Sequence, residues 1–237
     1  NHGQFNTIWG RSDSSFPWNH LLNLRDIMPE EEQRQVGNVY MSAFLEICLR
    51  DRLDYLPMFR DYRAGKDWLP ETVYLNHFED TTYRYAQTYD EDIDVTTTTL
   101  PGGTIASENL TRWRERRVAL KQNDKATNAA YLGWDMESVS DTASYNISLP
   151  PNAFDLSEEH ILVFTLADAK EKPDPENKEA KGAPTDPIDL TIEIADTTGR
   201  IARLPLSHFS FLQPQLVVQV RKADMFSTIK KSEPVYQ

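Results

Sequence analysis

At 237 residues the chain has room for one large domain or two small ones. A content of 39% hydrophobic and 11% aromatic residues suffices for a packed core, which excludes disorder or collagen-like repetition over most of its length. Lys and Arg number 25 against 37 Asp and Glu, a net charge of −12 that argues against a surface tracking nucleic-acid phosphates. No stretch approaches the ~20 apolar residues of a membrane-spanning helix, and the single cysteine, Cys48, excludes an intrachain disulfide framework and a cysteine-based zinc site.

The acidity is uneven. Residues 1–67 carry 8 basic and 10 acidic side chains, net −2, which leaves 17 and 27, net −10, for residues 68–237. The chain opens Asn1-His2-Gly3-Gln4, with no initiator Met and no signal-peptide features. Residues 1–28 follow neither period, yet hold Phe5, Ile8, Trp9, Phe16, Trp18 and Leu21, the composition of a loop that packs against something. A helix is predicted next: Pro29 suits the first helical position, and Glu30, Glu31 and Glu32 sit at the positive end of its dipole. Val36, Tyr40, Ala43, Phe44 and Ile47 then form one buried stripe, with Cys48 beside it as a small buried hydrophobe, and Arg50 and Arg52 complement the carboxyl end. A short second helix is predicted from Pro57, stopped by Gly65 in a left-handed cap.

Beyond Trp68 the period changes to two. Tyr145, Ile147 and Leu149 alternate with polar neighbours, as do Ile188, Leu190, Ile192 and Ile194. Asp196-Thr197-Thr198-Gly199 is a turn signal followed by Ala202, Leu204 and Leu206, so 188–206 reads as a hairpin. Further strands are expected over 72–79, 83–89, 92–99, 111–120, 129–134, 161–167 and 215–221. Residues 170–187, with four prolines and nine charges, read as a long mobile loop between strands. Glu233 to Gln237 resembles the start of another strand. The expected fold is α+β and mostly β: a helical segment over 1–67, then an antiparallel β-sandwich or jelly roll over 68–237.

Motifs with their own chemistry are absent. The nine glycines never bracket a serine as G-x-S-x-G, and there is no phosphate loop, dinucleotide fingerprint or H-E-x-x-H. His2 nonetheless stands in NHGQFNTIWG, a loop dense in Gly, Asn and aromatics that leads into an amphipathic helix. This stretch resembles the histidine loop near the end of bacterial α/β-hydrolases, the serine esterase and lipase fold, in which an N-H-x-x-F-N-T-x-W segment precedes the final helix. The resemblance covers about residues 1–50 and implies that His2 is the general base and that Trp9 lines the substrate site. The serine and the acid precede the histidine in this fold's triad order, so both are expected upstream, in a hydrolase core of the same protein. Residues 68–237 would be a β-rich accessory domain. The implied substrate is a small carboxylic ester, no cofactor is needed for catalysis, and the chain alone would be inactive. Low cysteine content and a β-rich appendage are compatible with a secreted or periplasmic location. The plain alternative is a solvated terminal histidine.

Other clusters permit a different function, that of a non-catalytic carbohydrate- or ligand-binding sandwich stabilised by calcium. Asp90, Asp92 and Asp94 in YDEDIDV are candidate Ca²⁺ ligands, since hard cations take several oxygens; a solvated acidic turn is the plainer reading. Arg112, Arg114 and Arg116 would line one strand face, pairing with that cluster or guarding an edge. Trp113, Trp134, Tyr83, Tyr85 and Tyr89 serve either as core or as rings stacking on sugars. His20 reads as structural, and His77, His160 and His208 as ordinary surface or core histidines.

Overall fold

The computed structural model describes residues 2–7, 16–25, 27–118, 126–135, 142–154, 160–169, 171, 187–219 and 230–233. The chain divides into two units, Asn1–Thr82 with Leu216–Ser232 and Tyr83–Gln215 with Glu233–Gln237.

In the first unit a 3-10 turn, His2–Phe5, and another, Trp18–Leu21, precede helix α1, Glu30–Arg50. Pro29 caps α1 rather than entering it, and its carbonyl accepts the first helical bond, from Gln33 N at 2.9 Å. Glu30, Glu31 and Glu32 occupy the first turn, where the exposed backbone N–H groups favour negative charge. At the other end Asp51 takes the left-handed conformation, φ 53°, and its N–H and that of Arg52 satisfy the last carbonyls. Arg50 pairs with Glu46 one turn back, whereas Arg52 turns away from the helix to Asp54.

Helix α2, Leu56–Arg60, begins one residue before the predicted Pro57 and is followed by a 3-10 turn, Tyr62–Gly65. Gly65 is not a left-handed cap. It is buried where a Cβ would lie 2.6 Å from Met58 Sδ, so the glycine is required by close approach. Met58 is itself almost wholly enclosed.

In the second unit the strands pair two by two. β1 (Thr104–Glu108) runs antiparallel to β4 (Ser144–Ser148), β2 (Arg112–Arg117) to β3 (Asn128–Gly133), and β5 (Thr191–Ala195) to β6 (Ile201–Pro205). The last pair is the expected hairpin. Its turn is held by the Asp196 carboxylate, which accepts from the backbone N–H groups of Thr198 and Arg200 at 2.8 and 3.0 Å. A further pair, β7 (Leu216–Gln219) with β8 (Lys230–Glu233), belongs to the first unit apart from Glu233. The fold is therefore mixed α+β and leans to β. Among the described residues the ladders do not join into the two larger sheets of a sandwich. The loop expected over 170–187 lies outside the described residues apart from Glu171 and Pro187.

Several expected strands are not strands. Over 72–79, side chains tie the run to earlier segments instead: Tyr74 donates to the Pro70 carbonyl, and Asn76 Nδ2 to those of Met58 and Phe59. Over 92–99, Asp92 accepts from Asp94 N and Asp94 from Thr96 N, local turns that compete with a ladder and leave a single bridge, Thr97 to Thr104. Residues 83–89 and 161–167 have no ladder among the described residues. There, too, no helix is long and apolar enough to cross a membrane.

Replacing Gly65 with Ala is expected to destabilise the protein by about 1–3 kcal/mol through overpacking against Met58, read as a lower urea midpoint with unchanged slope.

Candidate functional site

His2 belongs by its backbone to the His2–Phe5 turn; its side chain lies outside the described residues, as does the whole of Trp9. What the structure does describe is how the turn is carried. The Phe5 ring rests on α1 at Gly37, where an added Cβ would lie 3.0 Å from Phe5 Cε1. Arg34, one turn earlier, donates from Nη1 to the Gln4 carbonyl at 3.2 Å. Gly3 is buried beneath the turn. The histidine-bearing segment is thus clamped to the first half of α1 by an apolar and a polar contact.

The second half of the same helix face is open. From Gly37, positions 41, 44, 45, 48 and 49 follow at the spacing of one helical stripe, and they are Met41, Phe44, Leu45, Cys48 and Leu49. Met41 is 67% exposed, Phe44 56% and Leu49 75%, and Phe5 adds 53% at the upper end. Cys48 is exposed, not buried as its neighbours suggested. The inward stripe is narrower than expected: Ala43 is fully buried, Val36, Tyr40 and Ile47 partly so, and Phe44 belongs to the open face. Tyr40 meets Phe59 edge to face, 5.6 Å between centroids.

The other chemistry lies in the second unit, around β2. Asp90, Asp92 and Asp94 do not converge. Asp90 accepts from Asn128 N at 2.7 Å, Asp92 from Asp94 N and the Thr97 hydroxyl, and Asp94 from Thr96 N and Oγ1. The Thr96 hydroxyl and N–H hold the Asp94 carboxyl below its ordinary range. Among the described residues no three His, Cys, Asp or Glu side chains are grouped to hold a metal ion.

Alternation along β2 separates opposite charges. Arg112, Arg114 and Arg116 take one face, and Trp113 and Glu115 the other. Burial, aided by the negative charges of Glu91, Asp92 and Asp94, pushes the Glu115 carboxyl up to about 7. Its Oε1, like the Trp113 indole Nε1, is buried without a protein hydrogen-bond partner. Tyr145 packs edge to face with Trp113 at 6.2 Å, and its hydroxyl lies 3.5 Å from that of Tyr89. Burial raises both phenols. Tyr89 holds a left-handed φ of 66°, a conformation uncommon for a bulky residue. Trp113, Tyr89 and Tyr145 are therefore packed, not a flat exposed platform. Glu115 is the residue that sequence reasoning misses, although the Arg-Trp-Arg-Glu-Arg alternation places it opposite the arginines.

Three of the remaining histidines have local partners: His20 is edge to face with Phe16, His77 bonds Glu79 and His208 stacks edge-on against Phe209. A depression of about 260 Å³ beside the start of α1, lined by Arg25, Met28, Glu32 and Glu71 among others, contains no histidine or cysteine. No protein-family model, curated protein or solved structure matches the chain.

The raised Glu115 carboxyl sets a pH dependence. The folded state keeps this proton up to about pH 7, while the unfolded chain releases it near its ordinary 4.5. Folding therefore takes up a proton between those values, and stability falls as pH rises through them. Glu115→Gln is expected to flatten that slope and to gain about 1–2 kcal/mol at pH 8 once screening by water is allowed for. Urea unfolding at pH 5, 6, 7 and 8 measures it.

Proposed function

We propose that the chain is the carboxyl-terminal part of a serine α/β-hydrolase that cleaves carboxylic esters, with His2 as the triad base. The observation that carries this reading is a coincidence on α1. The turn bearing His2 and the exposed apolar stripe Met41, Phe44, Leu45 and Leu49 occupy the same helix face. A general base must face its nucleophile, and a stripe of large apolar side chains needs a protein surface to cover it. Both requirements are met at once if that face lies on a hydrolase core encoded earlier in the same polypeptide.

In this reading the Phe5–Gly37 and Arg34–Gln4 contacts fix the height of the imidazole over the core. The imidazole takes the serine hydroxyl proton as the oxygen attacks the ester carbonyl. It returns that proton to the departing alcohol, then repeats the exchange with water to release the acid. An imidazole is suited to this because its ordinary pKa lies near neutrality. Trp9 lines the acyl site, and residues 68–237 form the accessory region, a sandwich in its complete form.

The test is made on the product of the complete reading frame with p-nitrophenyl esters. Replacing His2 with Ala is expected to lower kcat by roughly 10⁴-fold or more, and a fluorophosphonate is expected to label one serine upstream. Labelling that finds no serine, or an undiminished rate in the His2 variant, defeats the assignment. In the same protein Phe44→Ala is expected to cost about 3–5 kcal/mol, as for a core phenylalanine; a loss under about 0.5 kcal/mol, the value for an open surface, removes the covering core from the proposal.

A further inference from the structure

The acid on β2 faces a loop that can detach. Across the ladder Glu115 meets Ala130, flanked by Leu132 and Asn128, so β3 brings no charge to that face. Arg117, the basic residue of the same face, is exposed, and among the described residues Glu115 forms no ion pair. The charges that act on it come from the loop 87–99, which carries Glu91, Asp92 and Asp94. The phenols of Tyr89, in the loop, and Tyr145, on β4, lie close enough to feel Glu115 in turn.

The loop carboxylates are committed as anions. Glu91 accepts from Gln87 Nε2 at 2.8 Å and from the Thr99 hydroxyl at 2.6 Å, Asp92 from the Thr97 hydroxyl at 3.1 Å and Asp94 from the Thr96 hydroxyl at 2.7 Å. Such donors favour the charged form. Glu115 Oε1 is buried with no donor, and its carboxyl is the one that burial and these neighbours push up to about 7.

The loop holds together by itself. Gln87 Oε1 accepts from Thr99 N at 2.7 Å, and Thr99 Oγ1 from Thr88 N at 2.8 Å. It is anchored to β1, where Ile105 N donates to the Thr96 carbonyl at 2.8 Å beside the Thr97–Thr104 bridge. Its hold on β3 is a single side chain: Asp90 accepts from Asn128 N at 2.7 Å and from the Thr127 hydroxyl at 3.2 Å. Swinging the loop off the hairpin therefore breaks, among the described hydrogen bonds, those of Asp90 and the long Tyr89–Tyr145 contact of 3.5 Å.

We propose that loop 87–99 is a pH-operated latch on the β2–β3 hairpin, closed while the Glu115 carboxyl is protonated and released when it ionises. In the closed state this carboxyl keeps its proton up to about pH 7, and in water it loses it near 4.5. Opening thus expels a proton between those values, so its equilibrium constant grows by up to about tenfold per pH unit and levels off above pH 7. Water then reaches Glu115 Oε1, which offsets part of the cost of opening.

Amide hydrogen exchange of the full chain, read by NMR at pH 5, 6, 7 and 8 and corrected for the intrinsic rate, tests this. The reporter is the Asn128 N–H, bonded to Asp90; the reference is the Val118 N–H, in the same hairpin but bonded to the Thr127 carbonyl. Protection at Asn128 is expected to fall about tenfold or more from pH 5 to pH 8, and to stay below that of Val118 throughout, as for a local opening. Glu115→Gln is expected to remove this pH dependence. Glu91→Gln, which takes away one repelling charge, is expected to move its midpoint to lower pH. Protection equal at Asn128 and Val118 at every pH shows global unfolding alone and overturns the latch, as does protection that ignores pH or a fall that persists in Glu115→Gln. Should Glu115→Gln not fold, an unmoved midpoint in Glu91→Gln rejects the proposal.

Discussion

The structure of the first unit depends on one constraint: α1 is apolar on two sides and the described residues cover only one. Val36, Tyr40, Ala43 and Ile47 turn toward the unit's own interior, where Phe59 meets Tyr40. Met41, Phe44, Leu45 and Leu49 remain open. A surface helix of a self-contained domain has a single apolar stripe, and one that is apolar on opposite sides belongs between two layers. Each large side chain left in water forgoes about 1.5–3 kcal/mol of burial. Gly37 then explains how the His2 turn joins this arrangement: without a Cβ, the helix lets the Phe5 ring down onto its axis and extends the apolar stripe to the turn itself.

Strand alternation does for the second unit what helical spacing does for the first. Five consecutive residues of β2 read Arg-Trp-Arg-Glu-Arg, and the pleat sends them to opposite sides. The guanidiniums cannot neutralise Glu115 across the sheet, so its carboxyl faces Glu91, Asp92 and Asp94 with burial against it and retains its proton. On the other face the three arginines gather around Glu171. The same six-residue strand therefore carries a proton-holding acid on one face and three guanidiniums on the other, and the acid keeps its proton because the guanidiniums are on the wrong side.

Much of this was legible in the sequence where the signal was local. The start of α1 follows from Pro29 and three glutamates, and the 191–205 hairpin from an Asp-Thr-Thr-Gly turn between alternating runs. The shared face of Arg112, Arg114 and Arg116 follows from alternation alone. The partner did not: Glu171 lies 59 residues from Arg112, in a stretch whose composition signals only a loop. The extended run at 92–99 misled for a physical reason, since Asp92 and Asp94 accept from nearby backbone N–H groups that a ladder would have used, whereas at 72–79 Asn76 ties the run to the carbonyls of α2. Cys48 and Phe44 misled for another. The apolar pattern of α1 is wide enough to hold two stripes, and a single stripe was assumed.

Net charge does not decide between the two faces of β2. A dianion approaching a protein of charge −12 is repelled at long range, but mobile ions at physiological strength reduce interactions beyond about 8 Å. Inside that distance the local set of groups governs. At the arginine face it consists, among the described residues, of three guanidiniums, the Tyr131 ring and the Glu171 carboxylate. The acidity of residues 68–237 therefore slows the arrival of an anion without cancelling the contact energy at β2.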